Sequence, residues 1–224
     1  MTCGRHPRAA IHRGFCAACL LEDAIVDVPQ ERSADEKRLM LQLALGKTTS
    51  TCVFLVKSEG PPARLLRLKI WRRQAGAGFL VRFDRLQRAL DAWAAQDVDR
   101  PLAARLDATG CPSVLTEFSR GVPILDRVRS GRLDPDQAVD RLAPLIALSE
   151  RAHGHGLAHG SIVPGNVIVD TNSGRARLLD FGLTPLMSAA EDRVALAAAD
   201  LAGFAALAHL LQTVRIQSDS TRGL

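Results

Sequence analysis

The sequence predicts an α+β chain of two successive parts, strands with one helix first and mostly helices afterwards, behind a small Cys/His-rich module. Three observations carry this. Apolar runs at 51–56 and 65–71 flank Ser58-Glu59-Gly60-Pro61-Pro62, a turn signal between two antiparallel strands. Apolar residues recurring at three and four mark helices over 79–96 and from 135 onward. Four candidate metal ligands, three Cys and one His, crowd the first nineteen positions.

Length and composition bound the answer. The chain has 224 residues, 47% of them apolar and 24% charged, enough for a real core and far from collagen, coiled-coil or disulfide-scaffold composition. The net charge of +5 comes from four Lys and 25 Arg against 24 acidic residues. Residues 61–100 hold nine basic side chains and four Asp, so the excess is local. Five cysteines, three of them before residue 20, do not resemble a secreted disulfide framework and imply a reducing compartment. No apolar run follows the basic residues at the start, so neither a signal peptide nor an anchor is expected there and the cytoplasm is the expected location. Residues 194–211 are apolar enough to resemble a membrane span, but they are Ala-rich and carry Asp200 and His209. Charges at the bilayer centre are costly, which favours a buried core helix and no membrane.

Taken in order, residues 1–27 form the candidate small module and the polar stretch 28–38, VPQERSADEKR, reads as a linker. The main domain starts near Leu39, and its first part runs over 39–118. After the two strands, Phe79, Phe83, Leu86, Leu90 and Trp93 line one face of a helix, and 113–118 follows as a strand. The second part covers 119–224. Asp134 is a good N-cap with Pro135 at the first helical position, and that helix runs to about His153 with a kink expected at Pro144. A short hairpin is expected at 167–170 and 177–179 around Asn172-Ser173-Gly174, and an apolar helix over 192–212 follows.

Cys3, His6, Cys16 and Cys19 are spaced as Cys-x2-His, nine residues, then Cys-x2-Cys. Each two-residue gap lets a tight turn aim two ligands at one tetrahedral ion, and the donor set suits zinc. So short a segment has little core of its own, so metal binding would supply its folding free energy. The plain alternative is a terminus with incidental thiols, and His12 is the spare ligand. The segment resembles short zinc-ribbon or zinc-knuckle modules.

From His159 the chain reads HGSIVPGNVIVD, and Asp180-Phe181-Gly182 starts fourteen residues after Asn166. The pair resembles the catalytic loop H-R-D-L-x-x-x-N and the D-F-G motif of eukaryotic-like protein kinases of the bacterial type, in degenerate form. Residues 45–54 lie over the Gly-rich loop and second strand, with Gly46 and Val53, and Leu68-Lys69-Ile70 over V-A-I-K. Thr116-Glu117-Phe118 falls at the hinge, and Asp200 resembles the Asp that braces the catalytic loop. The resemblance covers about 41–212 and implies a bilobal kinase-like fold truncated after the central C-lobe helix. It implies nucleotide contacts at Gly46, Val53, Lys69, Glu117, Asn166 and Asp180, with Asn166 and Asp180 on magnesium.

The departures from the pattern bear on function. Ser161 stands where the family has its catalytic Asp, and a neutral hydroxyl is a far weaker base. Thr48 and Thr51 replace the second and third glycines of the phosphate-covering loop. No Glu lies between Lys69 and Glu117, which leaves Asp84 as candidate ion-pair partner of Lys69, and A-P-E is missing after Asp180. The leading expectation is a pseudokinase, a regulatory or interaction module with weak or no ATP binding. The alternatives are a low-activity serine/threonine kinase using ATP and magnesium, and a zinc-dependent nucleic-acid binder. Two Trp and no Tyr leave few stacking residues, which argues against nucleic acid. A protein partner or a second copy is expected on the apolar face over 194–211, where further C-lobe helices are lacking.

Overall fold

The computed structural model describes residues 39–58, 61–93, 98–188 and 192–221, the last seven of these by backbone alone, together with the backbone of 11–12 and 15–16. The latter are two short antiparallel strands, β1 (Ile11–His12) and β2 (Phe15–Cys16). The chain divides into two compact units, 1–80 with 101–118, and 81–100 with 119–224. Residues 81–100 thus group with the second unit although they precede the last strands of the first.

The first unit is a five-stranded antiparallel sheet in the order β3-β4-β5-β7-β6. Its strands are β3 (Leu39–Lys47), β4 (Thr51–Ser58), β5 (Leu65–Trp71), β6 (Pro101–Leu106) and β7 (Pro112–Glu117). β4 alternates without a break between half-buried and buried positions, which is the period-two pattern of a strand with one covered face. Cys52, Phe54 and Val56 on β4 meet Leu66, Leu68 and Ile70 on β5 and Leu115 on β7 in one apolar cluster. Each of the larger side chains contributes roughly 1.5–3 kcal/mol by leaving water. Val53 and Lys69 are direct cross-strand partners, and Lys69 pairs in turn with Val114. β3 and β6 are strands that the sequence pattern does not announce.

The second unit contains α1 from Val81 onward, the helix as a whole spanning Phe79–Trp93. The stripe Phe79, Phe83, Leu86 and Leu90 is buried, as the three-and-four spacing predicts. α2 (Ile124–Arg129) and α3 (Pro135–Asp140) follow β8 (Gly121–Pro123). The Asp134 side chain accepts hydrogen bonds from the backbone N–H groups of Asp136 and Gln137, so the expected N-cap is present.

The expected continuous helix is not. It ends at Asp140, and α4 (Ala143–Gly154) begins anew with Pro144 in its first turn. A proline ring clashes with the carbonyl four residues back, here that of Asp140, and a clean stop with Pro144 restarting the helix avoids this.

β9 (Val167–Asp170) and β10 (Ala176–Leu178) form the expected hairpin, and β8 joins them in the order β10-β9-β8. The turn is built by Asp170, whose Oδ1 accepts from the backbone N–H groups of Asn172 and Ser173 and from the Ser173 hydroxyl. α5 (Leu183–Ser188) and α6 (Arg193–Thr221) complete the unit.

α6 corrects a second expectation. Among its described side chains it is buried along one stripe, Asp200, Phe204, Leu207 and Leu211, while Val194 is 80% and Leu201 45% exposed. Its stretch Arg193–Val214 is long and apolar enough to cross a bilayer by length and composition, and few of its residues are buried.

Candidate functional site: a braced loop and a left-handed aspartate

Two segments of the second unit carry the candidate chemistry, the loop 159–166 and the tripeptide Asp180-Phe181-Gly182. Asp200 on α6 braces the loop. Its side chain has no exposed surface, and its carboxylate accepts from the backbone N–H of His159 at 2.8 Å and of Gly160 at 2.7 Å. His153 Nε2, at 3.0 Å from Oδ2, supplies a third polar contact. A buried carboxylate is tolerated when its oxygens are saturated in this way.

His159 is wholly buried, and its two ring nitrogens have different partners. Nδ1 accepts from the backbone N–H of Ser161 at 3.1 Å, so the proton sits on Nε2, which donates to the carbonyl of Leu179 at 2.8 Å. The histidine therefore ties the loop to the residue just before Asp180. A second tie runs beside it, the backbone N–H of Leu179 donating to the carbonyl of Asn166 at 2.8 Å.

Phe181 fixes the tripeptide. It is fully buried, with its ring centroid 5.5 Å from that of Trp93 and 5.5 Å edge-on from His159. Asp180 is buried and has φ of 63°, the left-handed region that costs a non-glycine residue about 1–3 kcal/mol and marks functional positions. Gly182 follows at φ 74°, and a Cβ there would stand 2.7 Å from Leu86 Cδ1, so only glycine lets α1 approach this turn.

Asn166 donates from Nδ2 to the carbonyl of Ser161 at 3.0 Å, which directs its Oδ1 away as an acceptor. A side-chain amide oxygen with the carboxylate of Asp180 is a hard oxygen pair of the kind that holds magnesium, so the donor chemistry fits that ion. Ser161, in the same loop, offers a hydroxyl where the family pattern has a carboxylate.

In the first unit, Lys69 is half-buried on β5, its Nζ 5.1 Å from the ring centroid of Trp71. Glu117 ends β7 and pairs at 3.2 Å with Arg64, the residue before β5, in an exposed contact at the end of the sheet. Gly46 lies in β3 opposite Val53, with no heavy atom within 4 Å of where a Cβ would stand. The turn after it is closed by Thr48. Its Oγ1 accepts from the backbone N–H groups of Ser50 and Thr51 at 3.2 and 3.0 Å and lies 2.9 Å from Thr51 Oγ1.

Asp84 is exposed on α1, in the part of the helix that belongs to the second unit. Cys3, His6 and Cys19 lie outside the described residues, and Cys16 is described by backbone alone. Among the described residues no group of three or more His, Cys, Asp or Glu is placed to hold a metal.

Sequence reasoning missed two supporting residues. His153 gave no signal beyond ending a helix. Gly203 did: a glycine within an Ala-rich helix is costly, and here a Cβ would fall 2.7 Å from Ile162 Cβ, so the glycine lets α6 pack against the loop.

No family model matches the sequence. Among curated proteins, CBL-interacting protein kinase 16 of Oryza sativa subsp. japonica is 36% identical over 73 residues, 33% of this chain and 16% of that protein. The probable serine/threonine-protein kinase PknB of Lactococcus lactis is 28% identical over 76 residues, 34% of this chain and 12% of that protein. The match thus spans under a fifth of either relative's length. The solved structure of Rad53 1-466 in complex with AMP-PNP aligns with a TM-score of 0.62 at 16% identity, covering 78% of this chain and 48% of that one. The fold is protein-kinase-like. The kinase domain of Mycobacterium tuberculosis PknI aligns with a TM-score of 0.60 at 21% identity, covering 77% of this kinase-like chain and 73% of its own.

Proposed function

We propose that this kinase-like chain is a pseudokinase, a regulatory or interaction module that holds nucleotide weakly and does not transfer its γ-phosphate efficiently. The observation that carries the reading is Ser161. The loop is braced by Asp200 and His159, yet the side chain it presents at this position cannot take a proton from a substrate hydroxyl at neutral pH. Loss of general-base help costs about a hundredfold to ten-thousandfold in rate.

The turn at 48–51 supports weak binding independently. Backbone N–H groups of such a turn cradle phosphates when they are open, and here those of Ser50 and Thr51 are already given to Thr48 Oγ1. Lys69, Asn166 and Asp180 keep the residue types that contact phosphate and metal. When bound, magnesium would neutralise phosphate charge, and Asn166 and Asp180 are the residues that would hold it. Residues 1–27 add the proposed zinc module, tested by zinc content before and after Cys16→Ser and Cys19→Ser. The exposed α6 face with Val194, Ala198, Leu201 and Ala205 is the proposed contact for a partner or a second copy, which a monodisperse monomer at high concentration would contradict.

Thermal unfolding with and without excess ATP and magnesium tests the reading, because a ligand that binds only the folded state raises the midpoint. A small or absent shift is expected for the natural chain, with a larger one for Thr48→Gly. A large shift that Lys69→Ala and Asp180→Ala abolish favours the second reading, a low-activity kinase, since most phosphoryl-transfer catalysis is positioning and charge stabilisation. Ser161→Asp then separates the two: a gain of turnover means that only the base was lacking.

A further inference from the structure

β3 is an edge of the five-stranded sheet and pairs, among the described residues, with β4 alone. An edge strand presents a row of N–H and C=O groups that a further strand can bond, and soluble proteins guard such edges with lysine, proline or shortness. β3 is nine residues long and has neither lysine nor proline before Lys47. Its residues 40–46 are exposed, Leu43 to 58% and Leu45 to 41%. We propose that residues 20–28 of this chain, LLEDAIVDV, which lie outside the described ones, dock on that edge as an additional antiparallel strand.

Charge and residue type select this occupant. Residues 20–28 carry Glu22, Asp23 and Asp27 and no base, whereas β3 and β4 carry Lys47 and Lys57 and no acid. Opposite charges on neighbouring strands attract, and like charges repel. Ala24, Val26 and Val28 alternate with Ile25 and Asp27, and the β-branched Ile and Val are strand formers. An apolar edge is thereby offered an apolar strand with the complementary charge.

The connection permits the pairing and favours it over a second copy. Residues 29–38, PQERSADEKR, join the segment to Leu39. These ten residues can span roughly 33–36 Å when extended, against roughly 4.8 Å between paired strands, so the segment has ample chain to turn back on β3. Such a tether holds it beside the edge at an effective concentration on the order of mM, which a second copy in solution would have to match. The edge also disfavours a second β3. Bulges between Leu41 and Leu43 and between Ala44 and Gly46 break it into short stretches, which suit a short strand better than another of nine residues.

Hydrogen exchange of the full chain, read at the β3 amides that β4 leaves unbonded, tests this, because alternate residues of an antiparallel edge strand turn their N–H outward. Those amides are expected to exchange at least about tenfold more slowly than in an unstructured peptide. Val26→Pro, which removes a donor from the docked strand, should abolish the slowing, while Ser33→Pro in the connection keeps it. Unstructured rates in the natural chain overturn the proposal. So does slowing that Val26→Pro leaves intact or that disappears on dilution, since something other than residues 20–28, a second copy in the latter case, then covers the edge. Carbodiimide coupling of the natural chain, which joins carboxylates to amines in contact, gives a check that needs no variant. A link within one chain from Glu22, Asp23 or Asp27 to Lys47 or Lys57 is expected, and coupling of these acids only to Lys37 or Lys69, or to no lysine, contradicts the docking.

Discussion

The carboxylate of Asp200 holds His159 by its backbone N–H at 2.8 Å, across forty-one residues of sequence and with neither residue exposed. Through His159 the same brace reaches Leu179 and hence Asp180, so one buried charge positions both segments of the candidate site. Asp200→Ala would leave two loop N–H groups and His153 without their acceptor, and burying such orphans costs about 1–3 kcal/mol apiece. A loss of about 3–5 kcal/mol in urea unfolding is expected, the range for breaking a buried charged network. Asp200→Asn keeps one acceptor oxygen and should lose clearly less.

Phe181 ties the tripeptide to α1 through Trp93 and to the loop through His159. Phe181→Ala should cost about 3–5 kcal/mol, as expected for a large aromatic deleted from a closed core. Phe181→Leu should cost less than half of that, because most of the volume is refilled. Chemical denaturation of both variants checks the ratio.

Gly160 has φ of 78°, and a Cβ there would lie 2.7 Å from Pro185 Cδ. Gly160→Ala therefore combines backbone strain with a clash against a rigid ring. A destabilisation above about 1 kcal/mol is expected, whereas Gly131→Ala, with similar φ but open space, should show the strain alone. Equal losses in the two variants would contradict the packing argument.

Acid should weaken both units through two turn aspartates. Partial burial alone would raise the pKa of Asp107, but donors from Thr109, Cys111 and Gly110 outweigh it and hold the value below the ordinary 3.8. Asp170 is lowered first by the backbone N–H of Ser173, with Asn172, the Ser173 hydroxyl and Arg177 adding to it against slight burial. A depressed folded-state value means stability that is fully present above about pH 4 and lost as pH falls through that value. The urea midpoint should decline below pH 4, and Asp107→Asn with Asp170→Asn should flatten that decline.

The strands β4 and β5 and the stripe of α1 were legible because their apolar spacing matches one covered face, and Asp134 and Pro135 announced the start of α3 by their capping chemistry. β6 was not legible. After its opening Pro, its sequence, PLAARL, is built from helix formers, and pairing with β7 overrides that preference. β3 reads LMLQLALGK, apolar on both faces and exposed along most of its length, so no alternation marks it. The loop 159–166 and Asp180-Phe181-Gly182 were legible only as a pattern. Their coupling through the His159 tautomer and the role of His153 depend on contacts between residues far apart in sequence, which no local spacing encodes.

A braced, kinase-like loop that carries Ser161 where a proton acceptor is needed should transfer phosphate poorly. The most direct test is transfer of labelled γ-phosphate from ATP with magnesium, to the chain itself and to a generic protein substrate, by the natural chain beside Asp180→Ala. Equal, background incorporation in both is the predicted result. Robust incorporation by the natural chain that Asp180→Ala abolishes would contradict it.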